Sequence, residues 1–299
     1  MLEAVCGRIC PHTKQCEGSC VRGIKSNPVS IGELEALVGD ISIKENYKIP
    51  QNNISNKNKK IAIIGGGPAG LTASAFLLKE GYSVTLYEKY NYLGGLLVHG
   101  IPEFRLPKNT VKDTIQKIID LGLELKYNME FGKDFSIQEL ESKYDAIFLA
   151  FGANISTKMG IDGEDLEGVY GGNQLLEYNN HPDYKNKKVA IIGGGNVAMD
   201  CARTVKKLGA EEVSVIYRRS EEQMPAETKE IEEAKEEGVK FIFQNNLVKI
   251  LGNNKVEQIE LIKTELVQKE GETRKSPVNI PDSNYIIDMD YVIMALGSH

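Results

Sequence analysis

The sequence has no tryptophan, only four histidines, and no apolar run long enough to cross a bilayer. Each absence removes a class of function. The longest apolar stretches, such as Ile61 to Ile64 and Ala146 to Phe151, fall far short of the roughly 20 residues that a spanning helix needs. The N-terminus lacks the charged-then-apolar pattern of a secretory leader, so no membrane partner and a cytoplasmic location are expected. The formal charge of -6 is spread over both signs without a basic stripe, which speaks against nucleic acid. His12, His99, His181 and His299 are scattered without ligand spacing, and no catalytic triad is visible.

Glycine is abundant, at 29 residues, and cysteine is clustered, with four of the five within fifteen residues. In a cytosolic chain such clustering points to metal or redox chemistry before disulfides. A chain of 299 residues can bury one or two full-sized cores.

The glycines follow a pattern. Lys59 to Lys89 reads strand, glycine turn, helix, strand, and the pattern returns from Lys187 to Arg219, 128 residues on from the Gly65 turn to the Gly193 turn. Such a repeated βαβ half-unit predicts an α/β fold with parallel sheets and helices on both faces. In the first copy Gly65, Gly67 and Gly70 form G-x-G-x-x-G between strand and helix, and Glu88 ends the next strand. The first glycine permits the tight turn, the second admits a pyrophosphate to the backbone, and the third lets helix and strand pack closely. The helix N-terminus supplies N–H groups and partial positive charge, and a carboxylate at Glu88 suits a ribose. In the second copy the positions are Gly193, Gly195 and Ala198, and the acidic end is replaced by Arg218 and Arg219. A carboxylate there would repel a 2'-phosphate, whereas guanidinium groups pair with it, so NADPH is predicted over NADH. An acidic first site and a basic second site suggest FAD followed by NADPH. Hydride then moves between rings and needs no protein nucleophile.

Cys6, Cys10, Cys16 and Cys20 give C-x3-C-x5-C-x3-C, with soft ligands suited to an iron–sulfur cluster or to zinc; spacing alone leaves open that they hold no metal. Cys201 shares a helix face with Ala198, Ala202, Val205 and Leu208 and reads as a buried structural thiol. Elsewhere, Ile31, Leu34, Leu37 and Val38 have helical spacing behind Ser30 as N-cap, Val111, Ile115, Ile118 and Ile119 mark another helix, and Ser136 with Glu139 forms a capping box. Asp145 to Ala153 is expected as a buried strand, Glu227 to Glu237 as a solvated charged helix, and the alternation from Lys255 as an exposed antiparallel strand.

Taken together, CGRICPHTKQCEGSCVRGIKSNPVSIGELE, the first fingerprint, GGLLVHGIPEFRLPK from Gly94, GGGNVAMD from Gly193 and YRRSEEQMPA from Tyr217 resemble the glutamate synthase small (beta) subunit family. That family includes the large subunit of NADH-dependent ferredoxin:NADP oxidoreductase and the N-terminal part of dihydropyrimidine dehydrogenase. The resemblance covers nearly the whole chain. It implies two Rossmann-like FAD/NAD(P)-binding domains behind an N-terminal helical iron–sulfur segment. Electrons would pass from NADPH through FAD to 4Fe-4S clusters and on to a partner, a glutamate synthase large subunit or a ferredoxin-type protein. It also implies that Gly65, Gly67, Pro68, Ala69, Gly70, Glu88, Gly95, Leu96 and Arg105 surround FAD, with Gly94 to Pro107 near the isoalloxazine ring. Gly193, Gly194, Gly195, Asn196, Val197, Arg218 and Arg219 would surround NADPH, and Cys6, Cys10, Cys16 and Cys20 would be cluster ligands shared with cysteines upstream of this chain.

The expected divisions are a partial cysteine segment over 1–45, a linker over 46–58, the first part of an FAD domain over 59–156 and an NADPH domain over 157–288. Residues 289–299 would begin a return to the FAD domain, cut short, so that the chain is expected to be truncated at both ends relative to the family. Two other readings compete with the electron-transfer subunit: a non-catalytic nucleotide-binding fragment, and an assembly module whose cysteines hold zinc.

Overall fold

A computed structural model of the chain describes residues 1–51, 55–153, 155–268 and 274–298. The chain divides into two compact units, Met1–Gly152 and Ala153–His299.

The first unit begins with α1 (Glu3–Ile9) and α2 (Ile31–Lys44), followed by β1 (Lys60–Ile64), α3 (Pro68–Lys79), β2 (Ser83–Tyr87), α4 (Leu96–His99), α5 (Lys108–Ile119), β3 (Glu124–Lys126), α6 (Ile137–Glu141) and β4 (Ala146–Leu149). Its four strands pair in parallel in the order β3-β2-β1-β4. The apolar runs of β1 and β2 lie in the interior, where Ile63 and Leu86 are fully buried. Crossover helices cover a parallel sheet on its faces, which is why these strands are apolar throughout.

The cysteine segment, expected as a part of its own, belongs to this unit: Val5 lies in the same core as Ile63, Leu71 and Ile118. α2 starts behind Ser30 as expected, although the serine makes no capping bond. Its packing face is the reverse of the apolar periodicity. Gly32 and Gly39 are buried while Leu34, Leu37 and Val38 are more than half exposed. The cause is a close backbone approach, since a Cβ on Gly39 would fall 2.3 Å from the Ala4 nitrogen and one on Gly7 the same distance from that of Ala36. The expected linker is partly tied down: Lys48 pairs with Asp120 at 2.7 Å, and Ile49 packs on the core. Residues 52–54 of it lie outside the described residues. The predicted capping box at Ser136 and Glu139 is formed in full. β4 corrects the expected buried strand: among the described residues it borders only β1, and Phe148 and Leu149 are 42% and 53% exposed.

The second unit contains β5 (Val169–Gly171), α7 (Gly172–Tyr178), β6 (Lys188–Ile192), α8 (Asn196–Lys207), β7 (Glu212–Tyr217), α9 (Thr228–Glu236) and β8 (Lys240–Phe243). After these come β9 (Asn245–Leu251), β10 (Gln258–Val267), β11 (Ser276–Asn279), β12 (Tyr285–Asp288) and β13 (Tyr291–Met294). A parallel sheet runs β5-β13-β6-β7-β8, and β10 pairs antiparallel with β9, β11 and β12. β10 is central rather than exposed, with Ile259 and Leu261 fully buried on one face. α9 is not simply a solvated face either: Arg203 of α8, its side chain 7% exposed, pairs with Glu230, Glu233 and Glu237 at 2.7, 2.6 and 2.9 Å.

β13 overturns the expected return of residues 289–299 to the first domain. It lies between β5 and β6 in the second unit's sheet, as β4 lies beside β1. The same polar clasp holds both strands. Asp145 accepts from the Lys60 N–H at 2.8 Å and from Lys59 Nζ at 2.7 Å, and Asp290 accepts from the Lys188 N–H at 2.8 Å and from Lys187 Nζ at 2.9 Å.

Candidate dinucleotide sites and the cysteine segment

In both units the sheet and the following helix meet at a glycine turn whose geometry leaves little room for another residue. Gly65 has φ +108°, and a Cβ there would lie 2.3 Å from the Ala150 carbonyl oxygen. Gly193 has φ +144°, and its Cβ would lie 2.2 Å from the Ala295 carbonyl oxygen. Positive φ and a carbonyl at contact distance both select glycine. At the third position a Cβ on Gly70 would fall 1.9 Å from the Gly65 oxygen, whereas the second copy tolerates Ala198, which is fully buried. The second position is the informative one. A Cβ on Gly67 would meet nothing within 4 Å, and one on Gly195 only Pro225 at 3.9 Å. Glycine here is not required by protein packing but leaves open space before the N-terminus of a twelve-residue helix, where a pyrophosphate fits.

Around the first turn the structure gathers most of the predicted flavin residues. Glu88, only 6% exposed, receives the Gly66 N–H at 2.7 Å and the Tyr90 N–H at 3.0 Å. The Gly94 N–H reaches the Gly66 carbonyl at 2.8 Å, and a Cβ on Gly95 would lie 3.0 Å from the Gly67 Cα. The second glycine pair is thus folded onto the fingerprint. Pro68 and Ala69 are exposed at the start of α3, and Leu96 is 37% exposed at the start of α4. Arg105 stands half-buried on the loop between α4 and α5.

The second turn opens into a cleft of about 520 Å³ that all seven predicted residues line: Gly193, Gly194, Gly195, Asn196, Val197, Arg218 and Arg219. Tyr217 underlies the turn, its ring 2.6 Å from where a Gly194 Cβ would be. The loop after the arginines is fixed over the turn. The Ala226 N–H donates to the Gly194 carbonyl at 3.1 Å, the Glu227 N–H to Asn196 Oδ1 at 3.0 Å, and the Tyr217 hydroxyl to the Gln223 carbonyl at 2.9 Å. Arg219 Nε is shut off from solvent with no hydrogen-bond partner among the described residues, a donor suited to an anionic ligand. Sequence reasoning missed Met159, Pro225, Asn245, Arg274 and Leu296, which also line the cleft. Pro225 lies within the YRRSEEQMPA motif, and Leu296 within YVIMALGSH, a run like that of residues 145–153; the other three carried no signal.

Cys6, Cys10 and Cys20 are half-buried, Cys16 is exposed, and none is in a disulfide. Backbone N–H groups of Val29, Arg22 and Gly23 hold the Cys20 thiol below its usual value, as donors to a ligating thiolate would, whereas burial pushes Cys6 up. Among the described residues no group of three or more His, Cys, Asp or Glu converges in a metal-holding arrangement, so the four sulfurs are not gathered around one point. Cys201 is fully buried near the Gly172 carbonyl, and burial pushes its thiol up, as expected of a structural residue.

Two parallel-sheet units, each with a glycine turn before a helix N-terminus, one acidic and one basic at the end of the second strand, define a flavin and pyridine-nucleotide fold. The family model described as pyridine nucleotide-disulphide oxidoreductase matches residues 59–299, and the chain belongs to that family. The model of dihydropyrimidine dehydrogenase domain II, 4Fe-4S cluster, matches residues 1–47. The chain is 39% identical over 305 residues to the NADPH-Fe(3+) oxidoreductase subunit beta of Geobacter sulfurreducens, covering 99% of this chain and 45% of that protein. It is 35% identical over 311 residues to the glutamate synthase [NADPH] small chain of Escherichia coli, covering 99% of this chain and 66% of that one. The chain thus spans about half to two thirds of the length of these relatives. Mycobacterium tuberculosis FprA in complex with NADPH shares the fold, with a TM-score of 0.74 at 23% identity over 81% of this chain and 71% of that one. The family matches carry FAD, NAD(P) and a 4Fe-4S cluster as cofactors. No described helix is long and apolar enough to cross a membrane.

Proposed function

We propose that the chain is the nucleotide-handling part of an NADPH-dependent oxidoreductase of the glutamate synthase small-subunit type. In this reading bound FAD would supply the hydride-accepting chemistry between NADPH and one-electron 4Fe-4S carriers. The chain's own residues do the rest. The Gly193 turn and the α8 N-terminus receive the pyrophosphate of NADPH, and Arg218 and Arg219 receive its 2'-phosphate. The Gly65 turn with the buried Glu88 holds the adenosine end of FAD, and Cys6, Cys10, Cys16 and Cys20 supply thiolates to clusters completed by further ligands. Nothing in this division of labour requires a side-chain nucleophile or base.

The observation that carries the proposal is the basic cleft at the second turn, where two guanidinium groups replace the carboxylate that the first turn keeps at Glu88. The relatives' names support it from another side. NADPH-Fe(3+) oxidoreductase, glutamate synthase [NADPH] and NADP(+)-dependent formate dehydrogenase share the nucleotide and differ in what stands opposite it. They are also named as small chains or beta subunits, which supports a separate electron-accepting subunit as partner: a glutamate synthase large subunit or a ferredoxin-type protein. A cytoplasmic location accords with this assignment.

Cofactor content of the chain purified without oxygen tests the proposal. FAD is the expected result, with iron and acid-labile sulfide where the further cluster ligands are also supplied. Nucleotide affinity without flavin would instead identify a non-catalytic nucleotide-binding module, and zinc without iron or sulfide would identify an assembly role for the cysteines.

A further inference from the structure

The cleft of the second unit draws on two sheets. The parallel sheet supplies Arg218 and Arg219 at the end of β7, and Arg274 reaches the same cleft from two residues ahead of β11 in the antiparallel sheet. The two contributions are tied together: Thr264 Oγ1 of β10 donates to the Arg218 carbonyl at 2.8 Å, and the Gln244 N–H to the Arg219 carbonyl at 3.1 Å. β10 in turn pairs with β11 from Thr264 to Val267. The backbone that presents the arginine pair and the strand that presents Arg274 are therefore parts of one hydrogen-bonded frame.

Three guanidinium groups line this cleft, and no carboxylate among the described residues does. Arg218 and Arg219 differ in surroundings, the first exposed and the second half-buried. They approach a ligand from the β7 side only. Arg274 is held from the other side, its Nη2 donating to the Tyr217 hydroxyl at 3.4 Å and to the Gln223 carbonyl. Its Nη1 and Nε make no hydrogen bond among the described residues, which leaves half of a planar donor fork for a ligand. A phosphate monoester has three terminal oxygens and a charge near -2 at neutral pH, enough to engage donors from two sides. A ribose hydroxyl has no such capacity.

We propose that Arg274 is a third specificity-determining residue of the nucleotide site, facing the 2'-phosphate from the antiparallel sheet. The inference deepens the NADPH reading and rests on it. An arginine that only held the loop over residues 220–227 would support every nucleotide alike; one that meets the 2'-phosphate separates nucleotides that carry it from those that do not.

Adenosine 2',5'-bisphosphate and 5'-AMP, titrated calorimetrically into the 299-residue chain, isolate that group. Arg274→Ala is expected to weaken the bisphosphate about tenfold and to leave 5'-AMP unchanged, with Arg274→Lys between variant and parent. The unchanged 5'-AMP affinity is also the control for folding. Unaltered bisphosphate binding, or equal losses for both ligands, would overturn the role of Arg274 while the bisphosphate preference of the parent chain upholds the NADPH site. A parent chain that binds both ligands equally would overturn the NADPH reading and this inference with it.

Discussion

Replacing Arg218 and Arg219 together with alanine asks whether the basic strand end selects the nucleotide. Arg218 is exposed, so its charge acts through water and is worth on the order of 0.5–1 kcal/mol. Arg219 is half-buried with Nε closed to solvent, so a hydrogen bond from it to a phosphate is worth about 1.5–3 kcal/mol. The sum, about 2–4 kcal/mol, corresponds to roughly a thirty- to several-hundred-fold loss in preference for NADP+ over NAD+. Calorimetric titration of both nucleotides into the parent, the single variants and the double variant measures it. Most of the loss is expected in the single Arg219→Ala variant, and NAD+ affinity is expected to hold. An unchanged ratio in the double variant refutes the assignment, and a loss carried mainly by Arg218 refutes the burial argument.

Other perturbations test the frame around the site. Gly70→Ala places a methyl group 1.9 Å from the Gly65 carbonyl oxygen and is expected to cost about 1–3 kcal/mol in urea denaturation and to weaken flavin retention. Arg203→Met removes the guanidinium that pairs with Glu230, whose side chain is 11% exposed, and a loss of about 3–5 kcal/mol is expected in the same assay. Asp290→Asn carries a pH signature. Burial pushes the Asp290 carboxyl up, but the Lys188 N–H and the Lys187 ammonium outweigh it and hold the group below its ordinary value. A depressed carboxyl stabilises the fold above its unfolded value and ceases to do so as pH falls through the folded one. The stability gap between parent and variant is therefore expected to be full at neutral pH and to close below about pH 4.

The repeat was legible because its elements are local: apolar strand, glycine turn and helix follow one another within some thirty residues in each copy. The clasp repeats with it, as Lys59–Lys60 with Asp145 and Lys187–Lys188 with Asp290, but only the folded strands bring these residues together. The run YVIMALGSH from Tyr291 repeats the strand type of Asp145 to Ala153. What could not be read was its sheet, because an apolar parallel strand fits beside either first strand, and pairing places it beside β6. Periodicity located the α2 helix but not its packing face, since glycines at Gly7 and Gly39 let backbones meet and turn the leucines outward. Arg274 sits in a charged stretch without pattern and reaches the cleft only through the pairing of β10 and β11. The buried Glu230 on a charged helix was hidden for the same reason, its partner Arg203 lying on a different helix.

The most direct test of the account is the absorption spectrum of the chain, prepared and held without oxygen, before and after NADPH is added. The account predicts an oxidised flavin spectrum that NADPH bleaches rapidly and NADH only slowly. A flavin that stays oxidised in the presence of bound NADPH would contradict it.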